Sequence, residues 1–586
     1  MERNGNYFLA IMLSVLIVSA WQFLYVNPRI EAMKEAKKSF QKVDQDSKKN
    51  DIESHAQMSP AVFATSREQA IATSQRVDID TSAIKGSINL KGARFDDIGL
   101  KEYHVGINKD SPIITLLNPS NDVNGYFSEI GYLSRTSPDL VPGPDSVWQL
   151  VSGKKLTPST PITLVFKNSK GTTFKRIISI DKNYMFTIVD TITNNSAEPI
   201  KLSLYGRITR YEGKTENPVY VLHEGFIGVL DDMSLIEKKY TDIKKSNTIE
   251  THHILNGWLG ITDKYWASIL IPSKDINFES HFSFFSDGQP RYQADLKSPE
   301  ITIESGKSEQ IKNLLFAGAK EVPVIDQYEK EFFIPRFDRL IDWGWFYFIT
   351  KPMFMMMDYL YRLVGNFGLA IMLTTIIVKL IFFPLANKQY ASMANMKNIQ
   401  PKIDELREIF KDDRLGLQKA VIELYKKENI NPLAGCWPMI LQIPVFFAIY
   451  KVIYITIEMR HAPFIGWIHD LSAPDPTNII NIFGLLPFEA PAIVHIGAWP
   501  LIMGLSMFLQ MRMNPPPPDK TQAIIFNWMP VVFIFTLASF PAGLVIYWAW
   551  NNTLSIIQQA IIMKKHGVKV EIFKNISSLV QYLKKK

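Results

Sequence analysis

The chain has 586 residues, 64 Lys and Arg against 57 Asp and Glu, 47% hydrophobic residues, 21 Met and a single Cys. That apolar fraction excludes a disordered chain, and Cys436 alone excludes both a disulfide scaffold and a thiolate metal cluster within one chain. The length allows roughly three to five domains at about 100 to 200 residues each, and the net charge of +7 is modest, so the placement of the cations matters more than their number.

Residues 7–26 carry no charge and are interrupted only by Ser14, Ser19 and Gln22; as a helix they span about 30 Å, one hydrocarbon core. The small residues Val18-Ser19-Ala20 would also suit signal-peptide cleavage. The apolar run continues past Ala20 through Trp21 and Tyr25, so an uncleaved anchor over 1–26 is expected. Residues 27–81 are rich in Lys, Gln, Ser, Asp and Glu without a sustained period, which predicts a flexible tether. Over 82–324 the pattern becomes short period-two stretches separated by Gly, Pro, Asn and Asp. Ile200, Leu202, Leu204 and Ile208 fall on one face of an extended segment, and 184–192 and 161–166 are further strand candidates. Many strands with no helix-length periodic segments between them predict a large, soluble antiparallel sandwich.

In 325–365 the aromatic residues Trp343, Trp345, Phe346 and Phe348 and the run Met355, Met356, Met357 are mixed with Asp342, Lys351, Asp358 and Arg362. Those charges recur too often for a lipid-buried helix, so an amphipathic helix lying in the membrane interface is predicted. Residues 366–563 then supply five spans, at about 366–385, 437–457, 492–511, 524–540 and 542–563. Residues 524–563 hold forty positions without Asp, Glu, Lys or Arg, too long for one span, and Phe540-Pro541-Ala542-Gly543 supplies the turn between two. The expected fold class is a multi-domain chain, a polytopic α-helical membrane bundle of six spans plus an all-β domain. With both termini inside, nineteen short-loop Lys and Arg fall on the cytoplasmic side against eight outside, which favours cytoplasmic ends and an external β domain.

Between the second and third spans, 388–431 has helical periodicity. Met393, Met396, Ile399, Ile403, Leu406 and Phe410 form a near-heptad seam, continued by Leu417, Val421 and Leu424 after Asp412-Asp413. Two antiparallel helices are expected, either a self-contained hairpin or a contact site for another protein or the ribosome. The tail 564–586 has seven Lys and one Glu, enough to meet rRNA phosphates or anionic lipid by charge, or to act only as a topology signal.

Lys379 is a cation inside a span, a costly placement that usually faces a bundle interior or wet cavity, although a Lys near a helix end also snorkels to the headgroups. Lys451 is given the snorkelling reading. Gln442, Asn527, Thr536, Asn551, Asn552, Gln558 and Gln559 could each join helices by hydrogen bonds. No span contains Asp or Glu, which counts against proton-coupled transport, and no catalytic motif in a suitable setting occurs. The composition suits a device for holding varied apolar segments.

Ile88-Asn-Leu-Lys-Gly-Ala-Arg-Phe-Asp-Asp97, Asn431-Pro-Leu-Ala-Gly-Cys-Trp-Pro438, Arg460-His-Ala-Pro-Phe464, Trp467-Ile-His-Asp-Leu-Ser472 and Phe540-Pro-Ala-Gly-Leu544 resemble the YidC membrane protein insertases of Gram-negative bacteria over nearly the whole chain. The resemblance implies an inner-membrane protein with a periplasmic β-supersandwich and a five-helix core. The core would form a hydrophilic groove open to the cytoplasm and to lipid and closed on the periplasmic side. Lys379 occupies the place of a groove cation that is most often Arg, and loses the guanidinium fork. Thr375, Gln442 and Asn527 would line the groove, with Phe446, Tyr547 and Trp548 near the substrate path; the position of Trp548 is commonly Tyr. Implied partners are nascent membrane proteins, the Sec translocon, the ribosome through hairpin and tail, and membrane lipids. Neither a cofactor nor catalysis is implied. Competing expectations are an envelope enzyme or carbohydrate-binding protein acting through the β domain, and a small-solute channel.

Overall fold

The computed structural model describes residues 66–213, 222–246, 250–410, 413–428, 437–484, 496–514 and 520–567. All belong to the second of two units, Ala64–Lys586, into which the chain divides. The expected first anchor, most of the tether and the tail from 568 onward lie outside the described residues.

Period-two sequence between 76 and 319 folds into two sheets, of eleven and nine strands. Pairing is antiparallel except between Arg76–Asp80 and Lys155–Leu156. Strand Thr172–Ile180 shows why register is fixed: Thr172, Phe174, Arg176, Ile178 and Ile180 point inward at every second position. The inward Arg176 lies directly opposite Asp190 of Met185–Asn194 and donates to both of its carboxylate oxygens at 2.7 Å. Slipping the pair by one residue would leave two buried charges unpaired, which costs about 3–5 kcal/mol when one partner is lost.

The strand expected to bury only the face of Ile200, Leu202, Leu204 and Ile208 runs over Ile200–Tyr211 and is buried on both faces. On its second face Arg207 and Arg94 both bind Glu129, at 2.7 and 2.8 Å. Arg94 also reaches Ser120 Oγ and the Pro144 carbonyl, so loops cover that side of the sheet. The charged residues here are paired inside rather than solvated, which alternation alone does not reveal.

Twelve helices are described, α1 (Arg67–Ala72), α2 (Tyr240–Ser246), α3 (Val322–Glu331), α4 (Tyr347–Val364), α5 (Phe367–Ile381), α6 (Phe383–Asn398), α7 (Gln400–Ile409), α8 (Arg414–Lys427), α9 (Trp437–Ile455), α10 (Ala498–Met513), α11 (Lys520–Leu537) and α12 (Ala542–Lys565). Their breaks follow local chemistry. Gly365 takes φ 70° and ends α4, and Asn366 immediately caps α5 by accepting from the Leu369 N–H. Pro384 and Pro401 open α6 and α7, because proline cannot supply a mid-helix N–H; α5 and α6 meet at 70°. Asp413 caps α8 through the Gly416 N–H. The expected two-helix hairpin therefore consists of three helical pieces, and Lys402 of α7 is bridged to Glu428, just beyond α8, at 2.6 Å.

Among the described residues no single helix is long and apolar enough to cross a membrane, although the bent pair α5–α6 meets both conditions together. The reason is visible in each segment: α5 has 15 residues, about 22 Å, while α12 is long but carries Asn551, Asn552, Gln558 and Gln559. The centre of the helical region is α12, which buries Leu544, Val545, Ile546, Tyr547, Ala549 and Ile562 among other residues.

The two regions are joined by ion pairs and backbone contacts. Lys351 of α4 binds Asp326 and Asp338, each at 2.9 Å. Arg460 donates to the His104 carbonyl at 2.5 Å and lies over Trp266, and Lys264 sits 4.0 Å from the Tyr454 ring centroid. The snorkelling expected of Lys451 is corrected: its ammonium binds Asp342 at 2.8 Å, because the carboxylate preceding α4 reaches the C-terminal half of α9.

Glu458, just beyond α9, accepts the Val322 N–H at 3.0 Å through one oxygen, and burial, with Glu321 and Asp358 nearby, pushes its carboxyl up to about 7. A raised carboxyl pKa means the folded state holds the proton longer than the unfolded chain does. Its contribution is full below about 4.5 and is lost as pH rises through about 7. The unfolding free energy of the solubilised protein should fall across that window by at most about 1.4 kcal/mol per pH unit from this group, read as a falling thermal midpoint. Glu458→Gln keeps the acceptor oxygen and should flatten the profile; equal slopes for both proteins would remove Glu458 as the cause.

Candidate functional site

Lys379 lies in the last turn of α5. Its ammonium donates to Ser555 Oγ of α12 at 2.7 Å, and Ser555 in turn donates to the Asn551 carbonyl at 2.8 Å. Among the described residues no carboxylate forms an ion pair with Lys379. The cation is thus held by a neutral hydroxyl inside the helical region, without a counter-charge in direct contact among the described residues.

Ser555 belongs to a polar stripe. Asn552, Ser555 and Gln559 recur at helical spacing on α12 and are all buried. Asn552 donates to Ser506 Oγ of α10 at 3.1 Å, and Gln559 donates to Asn514 Oδ1 at 3.0 Å. Trp550 Nε1 caps the Met372 carbonyl of α5 at 3.2 Å. These bonds tie α12 to α5 and α10 and make a hydrophilic seam through an otherwise apolar core. Ser555 and Ser506 were missed from the sequence; the signal was the 552, 555, 559 spacing, hidden by the neighbouring amides at 551 and 558.

An aromatic cluster stands beside this seam. Phe446 of α9 lies 5.0 Å from Trp548 and 6.1 Å from Tyr547 of α12, and Phe533 of α11 lies 5.3 Å from Trp548. The structure therefore brings together three of the expected residues, Phe446, Tyr547 and Trp548. Thr375 is one turn from Lys379 but only 2% exposed, and its hydroxyl bonds the Ile371 carbonyl of its own helix at 2.7 Å. Gln442 is half-buried on α9 and Asn527 is exposed on α11. Among the described residues no hydrogen bond links either to Lys379. The outward surface of α11 is mostly apolar, with Ile524, Ile525, Trp528, Val532 and Phe535 exposed beside Asn527 and Thr536, an arrangement suited more to lipid than to water.

A helical region with many exposed apolar side chains, a cation on an internal polar seam and a docked β sandwich is the architecture of a membrane protein carrying a β domain. Residues 76–356 match the family model of the YidC periplasmic domain, and 359–569 match that of the 60Kd inner membrane protein. Proteins named membrane protein insertase YidC from Sinorhizobium medicae (strain WSM419) and Rhizobium meliloti (strain 1021) are each 60% identical to the chain, over 99% of it and 98% of their own length. The one from Brucella suis biovar 1 (strain 1330) is 52% identical over the same shares. A crystal structure of an active YidC insertase with its first transmembrane domain resolved aligns with 86% of this chain and 94% of its own, at 17% identity and a TM-score of 0.35. The chain belongs to the YidC family of membrane protein insertases, proteins of the bacterial inner membrane.

Proposed function

We propose that the chain inserts nascent inner-membrane proteins through a hydrophilic groove built on Lys379, without catalysis and without a cofactor. The single observation that supports this most is the Lys379 ammonium held by Ser555 within the helical region and facing no carboxylate partner among the described residues. A short polar flank of the substrate enters beside Lys379, which shortens the low-dielectric path it must cross. Its apolar segment moves along α9 and α11, past Phe446 and Trp548, into lipid. Burial of apolar surface at about 25 cal/mol per Å² drives the step. Thr375, Gln442 and Asn527 line the groove as it opens, and Tyr547 backs the aromatic path.

The same reading gives six spans, with the first in 1–26 and the other five in 366–563, both ends cytoplasmic and the domain of 82–324 periplasmic. The helices α6 to α8 and the tail recruit the ribosome, and the Sec translocon shares part of the substrate load. The contacts of Arg460, Glu458 and Lys451 with the β domain and its connector are consistent with a closed outer end.

Because the Lys379 seam and the aromatic cluster lie wholly in the helical region, residues 82–300 are expected to be dispensable for insertion. The deletion removes the contacts of His104 and Lys264 but keeps those of Val322, Asp326, Asp338 and Asp342. Insertion of a short substrate should stay within about threefold of the intact protein, a change below 1 kcal/mol. Complete loss at normal abundance in the membrane would place the activity in the other half.

A further inference from the structure

A cavity of about 690 Å³ lies between the edge strand Ser234–Lys239 with α2, the connector that ends at Phe346, and the outer part of α9. Its size is in the range of ligand pockets, and it is separate from the Lys379 seam. Three walls differ in character. Leu235, Glu237 and Lys239 are alternate residues of one strand and so share the face that lines it. The connector supplies Arg339, Trp343 and Trp345, and α9 supplies Phe447 and Tyr450. At the back, Lys451 and Asp342 neutralise each other, Asp342 also accepts the His223 N–H at 3.1 Å, and Gly344 at φ 73° packs on the Lys451 chain.

The remaining charges are two cations and two carboxylates. Arg339 stacks on the Tyr347 ring at 3.5 Å, which occupies its face and leaves its edge donors for an oxyanion. Among the described residues none of Arg339, Lys239, Glu237 and Asp242 forms a direct ion pair, although Asp338 lies near Arg339 and Glu237 lies within electrostatic reach of Lys451, Lys320 and Asp342. The lining also reaches the apolar exterior: Trp345 is 97% exposed and Phe447 49%. Beside them α4 turns Phe348, Met355, Tyr359 and Leu363 outward, while Thr350, Met353, Phe354 and Met357 pack inward. An apolar exposed face on a helix under a soluble domain is the pattern of a helix lying in the headgroup layer.

We propose that this cavity binds a zwitterionic aminophospholipid of the outer leaflet, with Lys239 and Arg339 on its phosphate and Glu237 and Asp242 on its ammonium. Trp345 and Phe447 lie along the first methylenes of its acyl chains. An anionic phospholipid lacking the amine would bring its phosphate to the two cations but leave both carboxylates facing a negative headgroup. The bound lipid pins the β domain to the membrane surface at the connector. This inference rests on the proposed periplasmic placement of the β domain and is independent of the groove at Lys379.

The test uses the full-length protein released into detergent with its lipids, with retained lipid counted by native mass spectrometry. Phosphatidylethanolamine should be retained about tenfold more than phosphatidylglycerol when both are supplied, a difference of about 1.4 kcal/mol. Glu237→Gln should weaken that preference, Lys239→Glu should lower retention of both lipids through the lost phosphate contact, and Trp345→Ala should also lower retention of both. Unchanged unfolding midpoints would show that the variants fold. Soluble phosphoethanolamine or inorganic phosphate at millimolar concentration should not displace the lipid; displacement would make the ligand a free phosphate compound and overturn the lipid assignment. Equal retention by wild type and Lys239→Glu would overturn the site itself, as would crosslinking of a photoreactive group at Trp345 to nascent chain rather than to lipid. Insertion assayed in parallel should be unaffected by Lys239→Glu in phosphatidylglycerol vesicles, so loss of the lipid site and loss of the insertase groove give different results.

Discussion

Lys379→Ala is expected to lower the insertion of substrates with acidic translocated flanks by about tenfold or more, whereas Lys379→Arg retains it. The substitution removes a cation whose only described polar contact is the Ser555 hydroxyl, so little native structure depends on it while the attraction for an anionic flank depends on it entirely. One charge-assisted contact in a poorly hydrated site is worth about 1.5–3 kcal/mol. Arg keeps the charge and can reach the same hydroxyl, so shape matters less than sign. Ser555→Ala separates the two roles: it frees the ammonium from its hydroxyl but leaves the charge, and should cost no more than about threefold. Complementation of a depleted strain, with pulse-labelled substrates differing only in flank charge, reads all three. Full activity of Lys379→Ala on acidic-flank substrates would return Lys379 to a snorkelling residue.

What could be read from the sequence was set by whether the causes were local. The β-rich region and the helical region announce themselves through period-two and long apolar stretches, because burial on one face repeats along each element. Breaks were legible wherever a residue dictates its own backbone, as with Pro541 before α12 and Gly365 after α4. Pro401 was equally present in the sequence, yet the heptad seam through Ile399 and Ile403 concealed that a proline in its first turn starts a new helix there.

Long-range pairing was not legible. Lys451 finds Asp342 at 109 residues' separation, and nothing in the surrounding pattern of α9 distinguishes a paired lysine from a snorkelling one. The same holds for Arg207, which looks like the outward residue of an alternating strand and is buried against Glu129. Within the candidate site the aromatic residues come together because large rings fill a helix junction, whereas Gln442 and Asn527 are small polar residues on surfaces where packing does not decide their neighbours.

The junction of α6 with the bundle gives the second large effect, since Ala394→Phe should reduce insertion more than about tenfold at 37 °C. Ala394 is fully buried between Met513 at the end of α10 and Met563 at the end of α12. One and two turns earlier on the same helix, Tyr390 and Ala386 pack on Ile562. The hairpin expected over 388–431 thus begins on a helix that packs against the ends of α10 and α12. A phenyl ring in place of a methyl group has no void to enter, and overpacking of this kind costs about 1–3 kcal/mol. That strain is applied where α6, α10 and α12 are held together, next to the Gln559–Asn514 bond that continues the polar seam. The outer pair behaves differently: Lys402 and Glu428 are bridged at 2.6 Å with the Lys side chain 57% exposed, and surface pairs contribute about 0–1 kcal/mol. Lys402→Ala should therefore leave insertion within about twofold. Measuring both variants at equal membrane abundance separates the hairpin's anchoring half from its solvent half. Normal insertion by Ala394→Phe, or its loss in Lys402→Ala, would show that the outer surface rather than the seam carries the contribution.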